Sequence, residues 1–317
     1  MIVATQDHQF KTSLVQLQEQ AIRNGVHDVR LLSSDDVSIL EPEVTSVGGA
    51  LYSPSTGVLD SHSFLQSLLA DAEYHKATLL LRTRVEGGHV HSVDCDDESD
   101  NHDTHDTAPA VAAAALHDTV ITLRIDGMDL QCDTVVNCAG LAADKIASRL
   151  HKTTKWQPPR HYFAKGNYFR LEGTPKPPFQ HLVYPVPEPG GLGVHATIDW
   201  MGQSTKFGPD VEWIDPSVQL DDIDLRPDPS RSNGFYEQVR KYWPNLKDDS
   251  IVSDYAGLRP KLYHPMMHIN GVVTQPLDFL IAEPKDHGVP GLFHLLGIES
   301  PGLTASMSIA KYIAERS

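Results

Sequence analysis

The stretch that most constrains this 317-residue chain is its end. An apolar run from Leu292 to Leu296 leads into Gly297-Ile298-Glu299-Ser300-Pro301-Gly302-Leu303-Thr304-Ala305-Ser306-Met307, and a helical periodicity then continues to Ile313. A strand that stops at a turn of small residues and reopens as a helix lets the backbone approach a ligand closely. The first helical turn carries N–H groups without internal acceptors and the positive end of the helix dipole, so a flat anionic ligand is suited to that place. The same periodicity assigns Leu303, Met307 and Ala310 to the buried side of the helix.

Charge and composition narrow the partners. Formal net charge is −16, the opposite of the basic footprint that nucleic acid requires, so no nucleic-acid partner is expected. Much of the acidity is local, between Asp94 and Asp106 and again between Asp215 and Asp228. No apolar run reaches the roughly 20 residues of a membrane helix, and the first residues lack the basic start of a secretory signal. Cys95, Cys132 and Cys138 form no disulfide framework and suit a reducing compartment.

Along the chain, Met1–Ala4 reads as a strand, and Leu14 to Ile22 as a helix closed at Gly25. Ser33 caps a second helix. Asp60 or Ser61 caps a third, in which Phe64, Leu65, Leu68, Leu69 and Ala72 form one buried face, and Thr78–Arg82 is the strand that follows. Residues 94–119, acidic and His-rich and then Ala-rich, read as a disordered insertion. Its histidines, with His89 and His91, suggest a low-complexity loop rather than a metal tract, and no metal is expected. Val120–Ile125 and Leu130–Val136 pair as a hairpin that delivers the chain into a helix over Leu141–Leu150. After Gln157-Pro158-Pro159, read as a domain crossing, turn residues between short apolar runs indicate an antiparallel sheet over 162–207. A helix occupies 231–247, and strands return near Val252, Met267–Ile269, Leu280 and Leu292.

Gly191, Gly193 and Ala196 match a G-x-G-x-x-A dinucleotide pattern by letter. That motif needs a helix after it, and Val194–Ile198 continues in strand-forming residues, so it is rejected. No other glycine triplet fits. Val135-Val136-Asn137-Cys138-Ala139-Gly140 carries a buried strand into a helix start, which either places a ligand at the strand end or packs helix on strand. In Asp254-Tyr255-Ala256-Gly257-Leu258-Arg259-Pro260-Lys261, Arg259 offers a planar fork suited to a carboxylate, or is a solvated, ion-paired surface residue.

In order along the chain, Val135–Asp144, Gly257–Pro260 and Gly297–Leu303 resemble the segments of the FAD-dependent D-amino-acid-oxidase-like superfamily. Four further strings narrow the likeness: His161-Tyr162-Phe163-Ala164-Lys165-Gly166-Asn167-Tyr168-Phe169, Leu182–Pro187, Gly190–Thr197 and Lys206–Trp213. They resemble the L-2-hydroxyglutarate dehydrogenase family, over nearly the whole chain apart from 94–119. The resemblance implies an α/β, FAD-dependent oxidoreductase-like fold: a truncated FAD domain over 52–152 and 261–317, and an antiparallel-sheet substrate domain over 1–51 and 153–260. The family's opening glycine-rich βαβ unit is missing from the sequence, so the FAD domain is expected to be incomplete. FAD contacts are implied for Asn137, Ala139, Gly140, Gly297, Ser300, Pro301, Gly302, Leu303 and Thr304.

The implied reaction is oxidation of L-2-hydroxyglutarate, a small 2-hydroxy dicarboxylate, to 2-oxoglutarate by hydride transfer to flavin. A histidine suits proton removal near neutral pH. His195 is the candidate, with a structural or hydrogen-bonding role as its alternative. Arg259 takes the carboxylate beside the reacting carbon. Lys165 is the second cation unless it is a solvated surface lysine, and Tyr184 bonds the substrate or packs beside Pro185. The resemblance implies a mitochondrial location, otherwise a cytoplasmic one, and leaves the electron acceptor open. Two other readings stand beside it: an inactive, flavin-free fragment serving as a binding module, and an amino-acid or glycine-type oxidase.

Overall fold

Short, mostly apolar runs of two or three residues build the first sheet of the protein. The computed structural model describes residues 1–92, 119–150, 156–174, 176–186, 193–266 and 278–317, with backbone alone at 268–269 and 272–273. These residues form two units, Met1–Leu79 with Ala164–Leu258, and Leu80–Phe163 with Arg259–Ser317. The insertion expected at 94–119 lies, up to residue 118, outside the described residues.

In the first unit, Ile2–Val3 pairs antiparallel with Ala50–Tyr52 and parallel with Tyr184–Pro185, and Arg30–Leu32 extends the other side of Ala50–Tyr52. A second sheet has the order His195–Ile198, Thr205–Gly208, Tyr162–Leu171, Glu212–Trp213, and Ile251–Lys261 also pairs with Tyr162–Leu171. The first four of these strands pair antiparallel.

Side chains alternate across a strand, so register fixes what each face carries. Phe169, Leu171, Ala196 and Phe207 turn to one face and pack with Phe235 and Val239 of the helix Ser232–Arg240. That helix stops earlier than the sequence suggests, and the turn after it still buries Tyr242 and Trp243. The opposite face follows from the pairings His195↔Gly208, Thr197↔Lys206 and Lys206↔Arg170. It carries His195, Thr197, Lys206, Tyr168 and Arg170.

Gly208 makes that second face possible. Its φ is +146°, and a Cβ there would lie 2.6 Å from the Tyr168 ring and 2.8 Å from the Asn167 carbonyl. Without a side chain on Gly208, the Tyr168 ring lies across the neighbouring strand.

Two expectations fail beside this unit. Asp60 caps the helix Ser61–Tyr74 by accepting from the His62 and Ser63 N–H groups, yet none of the helix's residues is buried. Its apolar stripe is only half-buried at Phe64, Leu68, Leu69 and Ala72, and Leu65 is exposed. Thr78–Arg82 forms no strand, and Leu79, Leu80 and Leu81 are 50%, 61% and 74% exposed. A run of β-forming residues becomes a strand only when a neighbour supplies the ladder. The first unit also extends to Leu79 instead of ending at residue 51, because Ala50–Tyr52 pairs on both sides inside it and the helix follows.

In the second unit, Val85–Ser92, Thr119–Ile125 and Met128–Cys132 form an antiparallel sheet. The single strand read over Leu130–Val136 is divided at Asp133 and Thr134. Beyond the break, Val135–Asn137 leaves the hairpin and pairs parallel with Leu292–Leu296, which pairs antiparallel with Leu280–Ala282. Helix Ala143–Leu150 closes both layers. Leu150 packs with Ile121, Val289 and Leu292, and Ala143 and Ala147 pack with Leu296.

The C-terminal helix, Gly302–Ala314, is rotated relative to the expectation. Gly302 and Ile313 are buried, whereas Leu303 and Met307 are 50% and 57% exposed and Ala310 is exposed. Its inward stripe runs 302, 305–306, 309 and 312–313, which the small residues Gly302, Ala305 and Ser306 disguise in the sequence. Among the described residues no helix is long and apolar enough to cross a membrane.

Gly208→Ala should lower the stability of the first unit by about 1–3 kcal/mol, since it adds a clash to a backbone conformation that L-residues avoid. Denaturant unfolding followed by tyrosine and tryptophan fluorescence measures the loss.

Candidate functional site

The second unit gathers three of the sequence motifs. Where Val135–Asn137 ends, parallel pairing sets Asn137 opposite His294. The Asn137 Nδ2 donates to the Ala143 carbonyl at 2.8 Å and to His294 Nδ1 at 3.0 Å, while its Oδ1 accepts from the Ala139 N–H at 3.2 Å. Both polar atoms of this buried side chain are therefore engaged within the protein. Asn137 ties the strand end to the helix start, and Ala139 and Gly140 are exposed just beyond it. Gly140 has φ +56° and no atom within 4 Å of where its Cβ would stand, so a ligand can approach it directly.

The turn after Leu292–Leu296 is equally shaped. Gly297 has φ +67°, and a Cβ there would lie 2.6 Å from Leu262. Its N–H donates to His161 Nε2 at 3.1 Å, and the His161 Nδ1–H donates to the Leu141 carbonyl at 3.3 Å. The His161 N–H in turn donates to Asp144 Oδ2 at 2.9 Å. One buried imidazole thus joins the Gly297 turn to the segment after Asn137. Burial pushes its pKa below the ordinary 6.5, opposed by Asp144, so the ring is neutral with its proton on Nδ1. At the helix that follows, Pro301 supplies no side-chain cap, and a Cβ on Gly302 would meet Ile298 at 2.5 Å. The amides of Leu303 and Thr304 lie in the first turn, where no intrahelical acceptor reaches them.

Arg259 is tethered to that same turn. Its Nη1 lies 3.7 Å from Glu299 Oε2, while Lys261 Nζ lies 2.5 Å from Glu299 Oε1. One carboxylate is shared by two cations, and at 31% side-chain exposure Arg259 keeps part of its guanidinium open. Ser300 and Pro301 complete the turn between Glu299 and the helix.

The remaining candidates belong to the first unit. The His195 and Tyr184 rings are 4.0 Å apart, centroid to centroid. Burial, and then the nearby Tyr168, push the Tyr184 phenol above its ordinary pKa, so it remains a hydrogen-bond donor. Lys165 is not offered as a second cation. It is 6% exposed, with Nζ 3.2 Å from Glu212 Oε2 and 3.3 Å from each of the Asp224 and Arg226 carbonyls. Alternation along Tyr162–Leu171 explains this, because Lys165 shares the face of Phe169 and Leu171, opposite His195.

A family model described as FAD dependent oxidoreductase matches residues 1–316. The chain belongs to this family. It is 39% identical to the mitochondrial L-2-hydroxyglutarate dehydrogenase of Arabidopsis thaliana, an alignment that takes in all of the chain and 65% of that protein. The chain therefore spans slightly less than two thirds of that relative's length. Among solved structures, L-proline dehydrogenase from P. horikoshii superposes with a TM-score of 0.71 at 16% identity, covering 99% of this chain and 70% of that one. L-alpha-glycerophosphate oxidase from Mycoplasma pneumoniae, with FAD bound, gives 0.67 at 20% identity, with 98% and 70% covered. These likenesses establish the mixed α/β fold of FAD-dependent oxidoreductases.

Sequence reasoning passed over His161, His294 and Glu299. Glu299 carried a signal, an acid amid small turn residues. The histidines carried none, since their partners lie 136 and 157 positions away in the chain.

Because His161 is held neutral, the unfolded chain binds a proton more readily than the folded one. The ring's contribution is full above pH 6.5 and is lost as pH falls below it. His287, also lowered by burial, acts in the same direction. Melting temperature should fall with acidification in this window, and His161→Gln should flatten the slope, as read by calorimetry from pH 8 to 5.

Proposed function

We propose that the protein containing this chain oxidises L-2-hydroxyglutarate to 2-oxoglutarate with FAD. The observation that carries this is the Glu299 tether, which fixes a partly open Arg259 to the Gly297–Gly302 turn. The 39% identity to an L-2-hydroxyglutarate dehydrogenase supports the substrate class, and that relative's name supports a mitochondrial location.

The residues suit the cofactor. Gly297 and Gly302 stand where a Cβ would clash, Gly140 opens on free space, and the helix start is uncapped. The amides of Leu303 and Thr304, with the dipole of Gly302–Ala314, would receive the flavin's electron-rich edge. Ala139, Gly140, Ser300 and Pro301 would line its approach, and Asn137 holds their backbone in shape. When bound, FAD supplies the acceptor for the hydrogen and electron pair leaving C2.

The chain's own residues do the rest. His195 takes the proton of the 2-hydroxyl as the carbonyl forms, and Tyr184 beside it fixes the ring and donates to the substrate. Arg259 grips the C1 carboxylate through its planar fork and so holds C2 in place.

Anaerobic addition of L-2-hydroxyglutarate to the holoprotein should bleach its visible flavin absorbance, while glycine and other amino acids should not. Bleaching by amino acids alone would assign the protein to the amino-acid oxidases. Arg259→Ala should raise KM about a hundredfold with flavin content unchanged, and an unaltered KM would remove Arg259 from substrate binding.

A further inference from the structure

A dicarboxylate substrate poses a question that Lys165 does not answer. That lysine lies on the core face of its sheet, and its ammonium is ringed by Glu212 and two backbone carbonyls. The other face of the same sheet holds a different cation. Lys206 stands directly opposite Arg170 and two positions from Gly208, the partner of His195. Its Nζ is 2.7 Å from Asp254 Oδ2 and 5.0 Å from the centroid of the Tyr255 ring.

From Lys206 a row of rings leads back to the proposed base. Tyr255 stacks on Tyr168 with centroids 4.4 Å apart and planes within 10°. Tyr168 leans across Gly208 and lies close enough to Tyr184 to raise its pKa, and Tyr184 meets His195 at 4.0 Å. Arg170, the other cation on this face, is taken by Glu172 at 2.7 Å on the exposed side.

We propose that Lys206 binds the second carboxylate of the substrate, and that this contact selects diacids over monoacids. The inference rests on the function proposed above and deepens it.

The physical case has three parts. An ammonium has three donors, and the ion pair with Asp254 at 2.7 Å holds it on this face without a hydrogen bond to that oxygen. The Tyr255 face below it holds the charge in position by cation–π attraction. Diagonal residues on neighbouring antiparallel strands have side-chain origins roughly 7–8 Å apart, as His195 and Lys206 are placed, a gap that a five-carbon diacid spans once both side chains lean inward. Burial raises the Tyr255 hydroxyl to about 12, so it also remains a donor at neutral pH.

The test is calorimetric titration of the holoprotein with glutarate and with pentanoate, a diacid and a monoacid of equal length. The native protein should prefer glutarate at least tenfold. Lys206→Met should abolish that preference while leaving pentanoate binding within about twofold, Lys206→Arg should retain it, and Asp254→Asn should retain most of it. A native protein without the preference, a Lys206→Met variant that keeps it, or an Asp254→Asn variant that loses it equally would each overturn the assignment. Bleaching of flavin by L-2-hydroxyglutarate is scored separately. A Lys206-dependent preference without bleaching would reject the proposed reaction and keep the diacid site.

Discussion

A neutral imidazole, shut away from water, holds two turns of the second unit in shape. His161 accepts from Gly297 on one side and donates toward Leu141 on the other, so two turns distant in sequence share one ring. Burial favours this state because the uncharged form costs least to desolvate. Neither turn is held by local hydrogen bonding alone. Gly297 is left-handed against Leu262, and the Gly140 region depends on Asn137 and His294 behind it. Remove the imidazole and both lose a common anchor, although their sequences lie far apart.

The first unit solves a different problem, how one sheet serves both a core and a polar face. Strand alternation does the sorting. Phe169, Phe207 and Ala196 go to the helix side and build the core, while His195, Lys206 and Tyr168 go to the other side. Lys165 shows the rule from the reverse direction, a charged residue that falls on the core side and is kept there by compensation from an acid and two carbonyls.

Much of this was legible in the sequence, and the exceptions have a common cause. The turn at Gly297, the Ser33 and Asp60 caps and the strands of the antiparallel sheet announce themselves through local chemistry. What stayed hidden depends on partners far along the chain. Lys165 reads as a free cation until the pairing registers are known. The break between Met128–Cys132 and Val135–Asn137 is invisible because both strands are apolar enough to be one. Leu303 and Met307 look like core because they are larger than Gly302, Ala305 and Ser306, which in fact face inward.

The leucines at 79–81 carry a consequence for handling the molecule. They are hydrophobic and unladdered among the described residues, next to a helix with no fully buried residue. Such a segment is a ready template for edge-to-edge addition of another polypeptide, and identical copies supply identical edges. At high concentration, three exposed leucines in a row favour self-association of the chain.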